Sequence, residues 1–96
     1  MIIRDTVLKK DVDVDKDGLI QLIKDGRQVE FEFSEVQDDG IGYVTWDTEY
    51  WSALDDNKFI CTYSLDGVHS KEYVRYNSAD LEFYFKPEAA KEVRIS

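Results

Sequence analysis

Cysteine, proline and histidine occur once each in this chain of 96 residues, and basic residues number twelve against twenty-one acids. Each scarcity excludes something. A lone thiol, Cys61, leaves no intramolecular disulfide, so the fold must stand on its apolar core. A lone histidine, His69, cannot by itself build a multi-histidine metal site. The single proline, Pro87, leaves no proline-rich linker, and no run approaches the ~18 apolar residues of a membrane-spanning helix. No apolar signal-peptide core follows Met1, and the expected setting is the reducing cytoplasm. The shortage of bases gives a net charge of −9, which argues against direct binding to nucleic acid or to an anionic membrane.

What is present is a core. Apolar residues make up 43% of the chain and aromatics 14%, too many for a disordered acidic tail. One domain over residues 1–96 is expected, burying about 65% of its extended-chain surface.

The dominant periodicity is two. Val29, Phe31 and Phe33 alternate with Glu30, Glu32 and Ser34, and Leu81, Phe83 and Phe85 alternate with Glu82, Tyr84 and Lys86. Asp25-Gly26 and Asp66-Gly67 each separate two apolar runs, where glycine's tolerance of positive φ favours a type I′ hairpin turn. Asp38-Asp39-Gly40-Ile41-Gly42 and Asp55-Asp56-Asn57 read as looser turns. The predicted strands lie near 2–8, 19–24, 27–36, 42–47, 58–65, 68–76, 80–86 and 92–95, with short helices at 48–54 and 87–92. The expected fold is all-β or β-rich α+β: a small antiparallel meander forming a barrel or sandwich, with one or two short helices.

The most unusual segment is Asp11-Val12-Asp13-Val14-Asp15-Lys16-Asp17-Gly18. As an edge strand it would hold Asp11, Asp13 and Asp15 on one side at steps of ~6.8 Å, a charged row able to meet a phosphate-binding groove. The same row discourages edge-to-edge aggregation. As a solvated loop it would simply close on the Asp17-Gly18 turn. Residues 13–20 also resemble the first eight positions of an EF-hand calcium loop. That resemblance implies calcium ligands at Asp13, Asp15, Asp17 and the Leu19 carbonyl, with Gly18 at the sharp turn. The match stops at loop position twelve, where Lys24 stands in place of a bidentate glutamate.

Trp46-Asp47-Thr48-Glu49-Tyr50-Trp51 places three large aromatics among polar residues. Two tryptophans suit a small core, but Trp and Tyr are also enriched at binding hot spots. With Trp46 inward, Trp51 is the expected exposed anchor, flanked by Asp47 and Glu49. Catalytic patterns are missing: there is no nucleophile elbow, phosphate-cradling glycine loop or His-Glu-x-x-His, and Cys61 reads as a buried strand residue. No enzyme activity and no cofactor are expected, calcium being the alternative.

The profile is that of a small interaction protein, such as an inhibitor, an immunity or antirestriction protein, or another viral or bacterial nucleic-acid mimic. Its expected partner is the basic surface of a larger protein, occluded through Asp11, Asp13, Asp15, Asp47, Glu49 and Trp51. A structural or assembly subunit is the remaining alternative, and a monomer or small homo-oligomer fits either.

Overall fold

The aspartate at position 5 shows why the first strand stops short of the alternation that predicts it. In a computed structural model, its carboxylate accepts hydrogen bonds from the Val7 and Leu8 amides at 3.0 and 2.9 Å. That capture turns the chain after β1 (Ile2–Asp5) and sends it back as β2 (Lys10–Asp13). The structure describes residues 1–55, 58–77 and 79–96, without the side chains of 69–74. The expected turn at Asp55-Asp56-Asn57 and the side chain of His69 therefore lie outside the described residues.

The elements that follow are α1 (Lys16–Lys24), β3 (Val29–Asp38), β4 (Thr45–Asp55), β5 (Lys58–Leu65) and β6 (Val68–Asn77). The short helix α2 (Leu81–Tyr84), a 3₁₀ turn (Pro87–Ala89) and β7 (Ala90–Ile95) complete the chain. The strands form one sheet in the order β2-β1-β7-β3-β4-β5-β6. β3 to β6 are the expected antiparallel meander, whereas β1 and β7 run parallel. The class is β-rich α+β. Among the described residues β2 and β6 stand at the two ends of the sheet, and no pairing closes them into a barrel.

Four segments differ from their sequence pattern. Residues 19–24 are helix, not strand: Leu19, Ile20 and Ile23 are buried at one-turn spacing. Asp15 caps that helix by accepting from the Gly18 amide at 2.7 Å. At its other end Asp25-Gly26 is no hairpin. Gly26 has φ +99°, and the Gly26 and Arg27 amides donate to the Ile23 and Leu22 carbonyls, a Schellman stop. Asp66-Gly67, by contrast, is the predicted hairpin turn, with φ 50° and 78°.

The run 48–54 is strand, not helix, because both of its edges are paired, to β3 and β5. Residues 81–84 are helix, not strand: Leu81 and Phe85 are buried one helical turn apart, a spacing that alternation by two also satisfies. Helix at 87–92 shrinks to the 3₁₀ turn, since residues 90–95 pair between β1 and β3. Among the described residues no helix is long and apolar enough to cross a membrane.

The core lies on the face where opposed residues form apolar rows: Ile95, Val29, Trp51 and Cys61 make one, roofed by α1 and α2. The opposite face is polar. There Arg94 is held by Glu30 and, at 2.9 Å, by Glu92.

Asp5 itself is buried and paired with Arg27 at 2.9 Å. The Leu8 amide and then the Arg27 guanidinium and Val7 amide hold its carboxyl below the ordinary aspartate value of 3.8. An acid shifted down contributes stability that is present above pH 3.8 and is lost as pH falls through the folded value. Asp5→Asn is therefore expected to lower stability at neutral pH and to flatten the acid limb of a urea-unfolding series. An acid limb equal to wild type would remove Asp5 from that role.

Candidate functional site

The second core row is not wholly apolar. Val93, Phe31, Glu49 and Tyr63 are opposed across β7, β3, β4 and β5, so Glu49 projects from the core face among aromatic and aliphatic neighbours. It is only 3% exposed. Its two oxygens accept from two indoles: Trp46 Nε1 to Oε1 at 2.9 Å and Trp51 Nε1 to Oε2 at 3.1 Å. Trp46 lies three positions from Glu49, which places residues on opposite faces of a regular strand. The β3–β4 register shifts between Glu32 and Gln37 beside it, and Trp46 reaches the carboxylate there.

Aromatic rings surround this carboxylate. Trp46 packs on Tyr63 with centroids 4.5 Å apart, and Trp51 stacks on Tyr76 at 5.0 Å. The Tyr63 and Tyr76 hydroxyls lie 3.3 Å apart. Helix α2 closes one side: Phe85 meets Phe31 and Trp51 edge-on, and Tyr84 lies against Tyr76 at 4.3 Å. Between these elements runs a cleft of about 330 Å³. Glu49 and the rings line it, with Asp38, Asp39 and Lys86 at its borders.

The electrostatics follow from burial. Desolvation is the largest influence on Glu49 and holds its carboxyl above the ordinary glutamate value, against the two indole hydrogen bonds and the field of Lys86. Among the described residues no lysine or arginine forms an ion pair with it. Asp39 is shifted the other way, because the Ile41 amide and then the Gly42 amide donate to its carboxylate. Burial, then the field of Glu49, pushes the Cys61 thiol up, so it is not an activated nucleophile.

The sequence-predicted site residues do not come together. Asp11 and Asp13 are exposed on the edge strand β2, as the edge-strand reading expects. Each also has a partner: Arg4 lies 3.4 Å from Asp11 and the Met1 ammonium 3.0 Å from Asp13. Asp15 is a helix cap, Asp17 sits in the first turn of α1, and Leu19 is buried in that helix. Positions one to seven of the supposed calcium loop are thus a strand end, a cap and a helical turn. Among the described residues no group of three or more His, Cys, Asp or Glu side chains is placed to hold a metal.

Asp47 is half-buried and accepts from the Thr48 hydroxyl and the Asp66 amide. Glu49 and Trp51 are corrections. Both face the core, and Trp51, at 1% exposure, is not the outward anchor, because it shares the inward parity of Glu49 within a strand. Three strands separate β2 from β4, so the acidic row and the cleft are distinct places.

The exposed aromatics are others. Tyr43, in the 39–44 connection beside Asp39, is 87% exposed, and Phe83 on α2 is 83% exposed. Tyr43 follows Gly40-Ile41-Gly42, a turn whose two glycines both have positive φ, and that turn was the readable signal. A larger groove of about 450 Å³ lies between α1 and residues 79–82, but its polar lining residues, Asp17, Gln21, Lys24 and Glu82, are all exposed. It offers no comparable chemistry. Comparison of the chain with known protein families, with characterised proteins and with solved structures returns no match.

Proposed function

We propose that this chain is a small acidic interaction protein that occludes a basic surface of a larger partner, without chemistry of its own. Inhibitors of immunity or antirestriction type work in this way. The supporting observation is the placement of exposed Tyr43 and Phe83 on the two elements that border an acid-rimmed cleft. Exposed aromatics beside carboxylates suit a partner that presents cations around apolar pockets. Arg4, Arg27 and Arg94 are each engaged by the chain's own acids, and the net charge of −9 leaves acids in surplus. Charge complementarity would speed association, and aromatic burial would slow release.

Affinity capture with the intact chain as bait, from the lysate of its own host, tests this. A basic protein should be retained, with affinity falling steeply between low and physiological ionic strength. Tyr43→Ser with Phe83→Ser should shorten residence time while the association rate persists. Asp11→Lys with Asp13→Lys asks separately whether the β2 edge belongs to the interface. A partner held equally well at high salt and by all these variants would refute the reading.

A further inference from the structure

Strand β2 leaves its outer edge open, and the residues along that edge restrict what can pair with it. Val14 and Met1 exchange backbone hydrogen bonds at 2.9 and 2.8 Å. In an antiparallel ladder such pairs alternate, so Val12 and Lys10 also bond inward, to Ile3 and Asp5. The amides and carbonyls of Asp11 and Asp13 therefore point away from β1. Among the described residues no strand pairs with them on that side. Two features that often break such an edge are absent. β2 contains no proline, and its register with β1 runs without a bulge, whereas the pairings of β3 with β4 and β7, and of β5 with β4 and β6, are all shifted.

Charge guards this edge, and it guards selectively. A second copy of the chain, paired antiparallel about residue 11, 12 or 13, would set Asp11 on itself, Asp11 on Asp13, or Asp13 on itself. Like charges directly opposed destabilise such a pairing. A strand with cations two residues apart meets the opposite sign at both positions, since side chains on one strand face recur every ~6.8 Å. Arg4 and the Met1 ammonium already touch these carboxylates, but both contacts are to Oδ1, and a carboxylate offers about four acceptor sites. Both aspartate side chains also stay well exposed. Between them Val12 stands on the other face, opposite buried Ile3, and is only partly covered. An apolar neighbour across the edge would cover it further. Ile2, Val7 and Leu8, each more than half exposed, add apolar surface on the same hairpin.

We infer that the outer edge of β2 accepts a β-strand of a partner protein with Lys or Arg at two positions two apart and an apolar residue between them. The two cations lie opposite Asp11 and Asp13, and the apolar residue lies beside Val12. Backbone bonds to the outward amides and carbonyls of the two aspartates supply the attachment, and the side chains supply the choice of strand. This edge is three strands away from β4 and the cleft. The inference shares with the interaction reading only the sign of the partner's charge, and a synthetic strand tests it without any host partner.

The probe is a cyclic β-hairpin peptide whose free edge carries Lys-Val-Lys, pre-organised so that little ordering is lost on binding. Titrated into the intact protein and followed by calorimetry, it should bind saturably. Amide hydrogen exchange should slow at Asp11 and Asp13. The same hairpin carrying Glu-Val-Glu should bind at least tenfold more weakly. N-methylation of the two lysine amides keeps the charge, removes the donors and should also cost about tenfold or more. Asp11→Lys with Asp13→Lys should reverse the preference towards the Glu-Val-Glu hairpin, a gain that misfolding cannot produce. Four results overturn the inference: equal binding of the methylated and parent hairpins, unchanged preference in the double variant, unchanged exchange at Asp11 and Asp13 in the bound protein, or no saturable binding at millimolar hairpin. Sedimentation of the wild-type chain tests the other occupant. A dimer abolished by the double variant would assign the edge to a second copy instead. Capture of a basic host partner through Tyr43 and Phe83 is a separate measurement, so either reading can fail alone.

Discussion

Truncation of Trp51 to alanine should remove about 3–5 kcal/mol of unfolding free energy, the usual cost of deleting a large buried aromatic. The side chain is 1% exposed, stacks on Tyr76, meets Phe85 edge-on and donates to Glu49. A domain of this size has only ~5–14 kcal/mol to lose, so the variant should be marginal at 37 °C. Urea unfolding checks this: the midpoint should fall while the slope stays constant. A loss below about 1 kcal/mol would contradict the packing described here. Trp51→Phe separates the two parts of the effect. It keeps most of the ring but leaves one Glu49 oxygen without its donor, at ~1–3 kcal/mol for the unpaired buried group.

Glu49→Ala is expected to have the second-largest effect. The two indole N–H groups lose their shared acceptor at ~1–3 kcal/mol for each unpaired buried donor, and removal of the desolvated carboxyl offsets part of that sum, leaving a loss of about 2–4 kcal/mol. The size of that loss should depend on pH. Glu49 titrates above the free glutamate value of 4.5, so the folded state binds its proton more tightly than the unfolded state. Stability linked to this group is complete below pH 4.5 and declines as pH rises through the folded value. The gap between wild type and Glu49→Ala should therefore be wider at pH 4 than at pH 8. A gap independent of pH would show that the buried carboxyl titrates as it does in water. Asp5 acts in the opposite direction and in a separate window, since its contribution disappears only below 3.8. The two carboxylates can be resolved in one pH series.

Much of the sheet was legible because its signal is local. Val29, Phe31 and Phe33 alternate with glutamates that face the polar side, and the structure buries those three. Asp66-Gly67 carries its turn geometry in two residues. Legibility fails where one spacing satisfies two periods. Leu81 and Phe85 fit either a strand face or a helical turn, and only the packing of Phe85 on Phe31 and Trp51 decides. Asp25-Gly26 likewise suits a hairpin or a helix stop, depending on what precedes it.

The cleft was harder to read. Its parts come from the 38–39 end of β3, from β4, β5 and β6, and from the α2 segment, and no local pattern links them. One clue was available: Glu49 shares the parity of Trp51, so placing either inside a strand core places both. Reading 48–54 as helix hid that parity and turned Trp51 outward.

The parallel pairing of β1 and β7 has a consequence for how the fold assembles. The meander from β3 to β6 needs only neighbours in the chain. Among the described residues, β7 alone pairs with both that meander and the β1–β2 hairpin. Thr6 and Ile95, 89 positions apart, are joined there by the Thr6 hydroxyl and amide. Closing so long a loop is slow compared with forming a hairpin. The β1–β2 hairpin and its aspartate-bearing edge thus have no place to dock until β7 is seated. The cleft is constrained differently, because the strands that line it lie on the meander side of that seam.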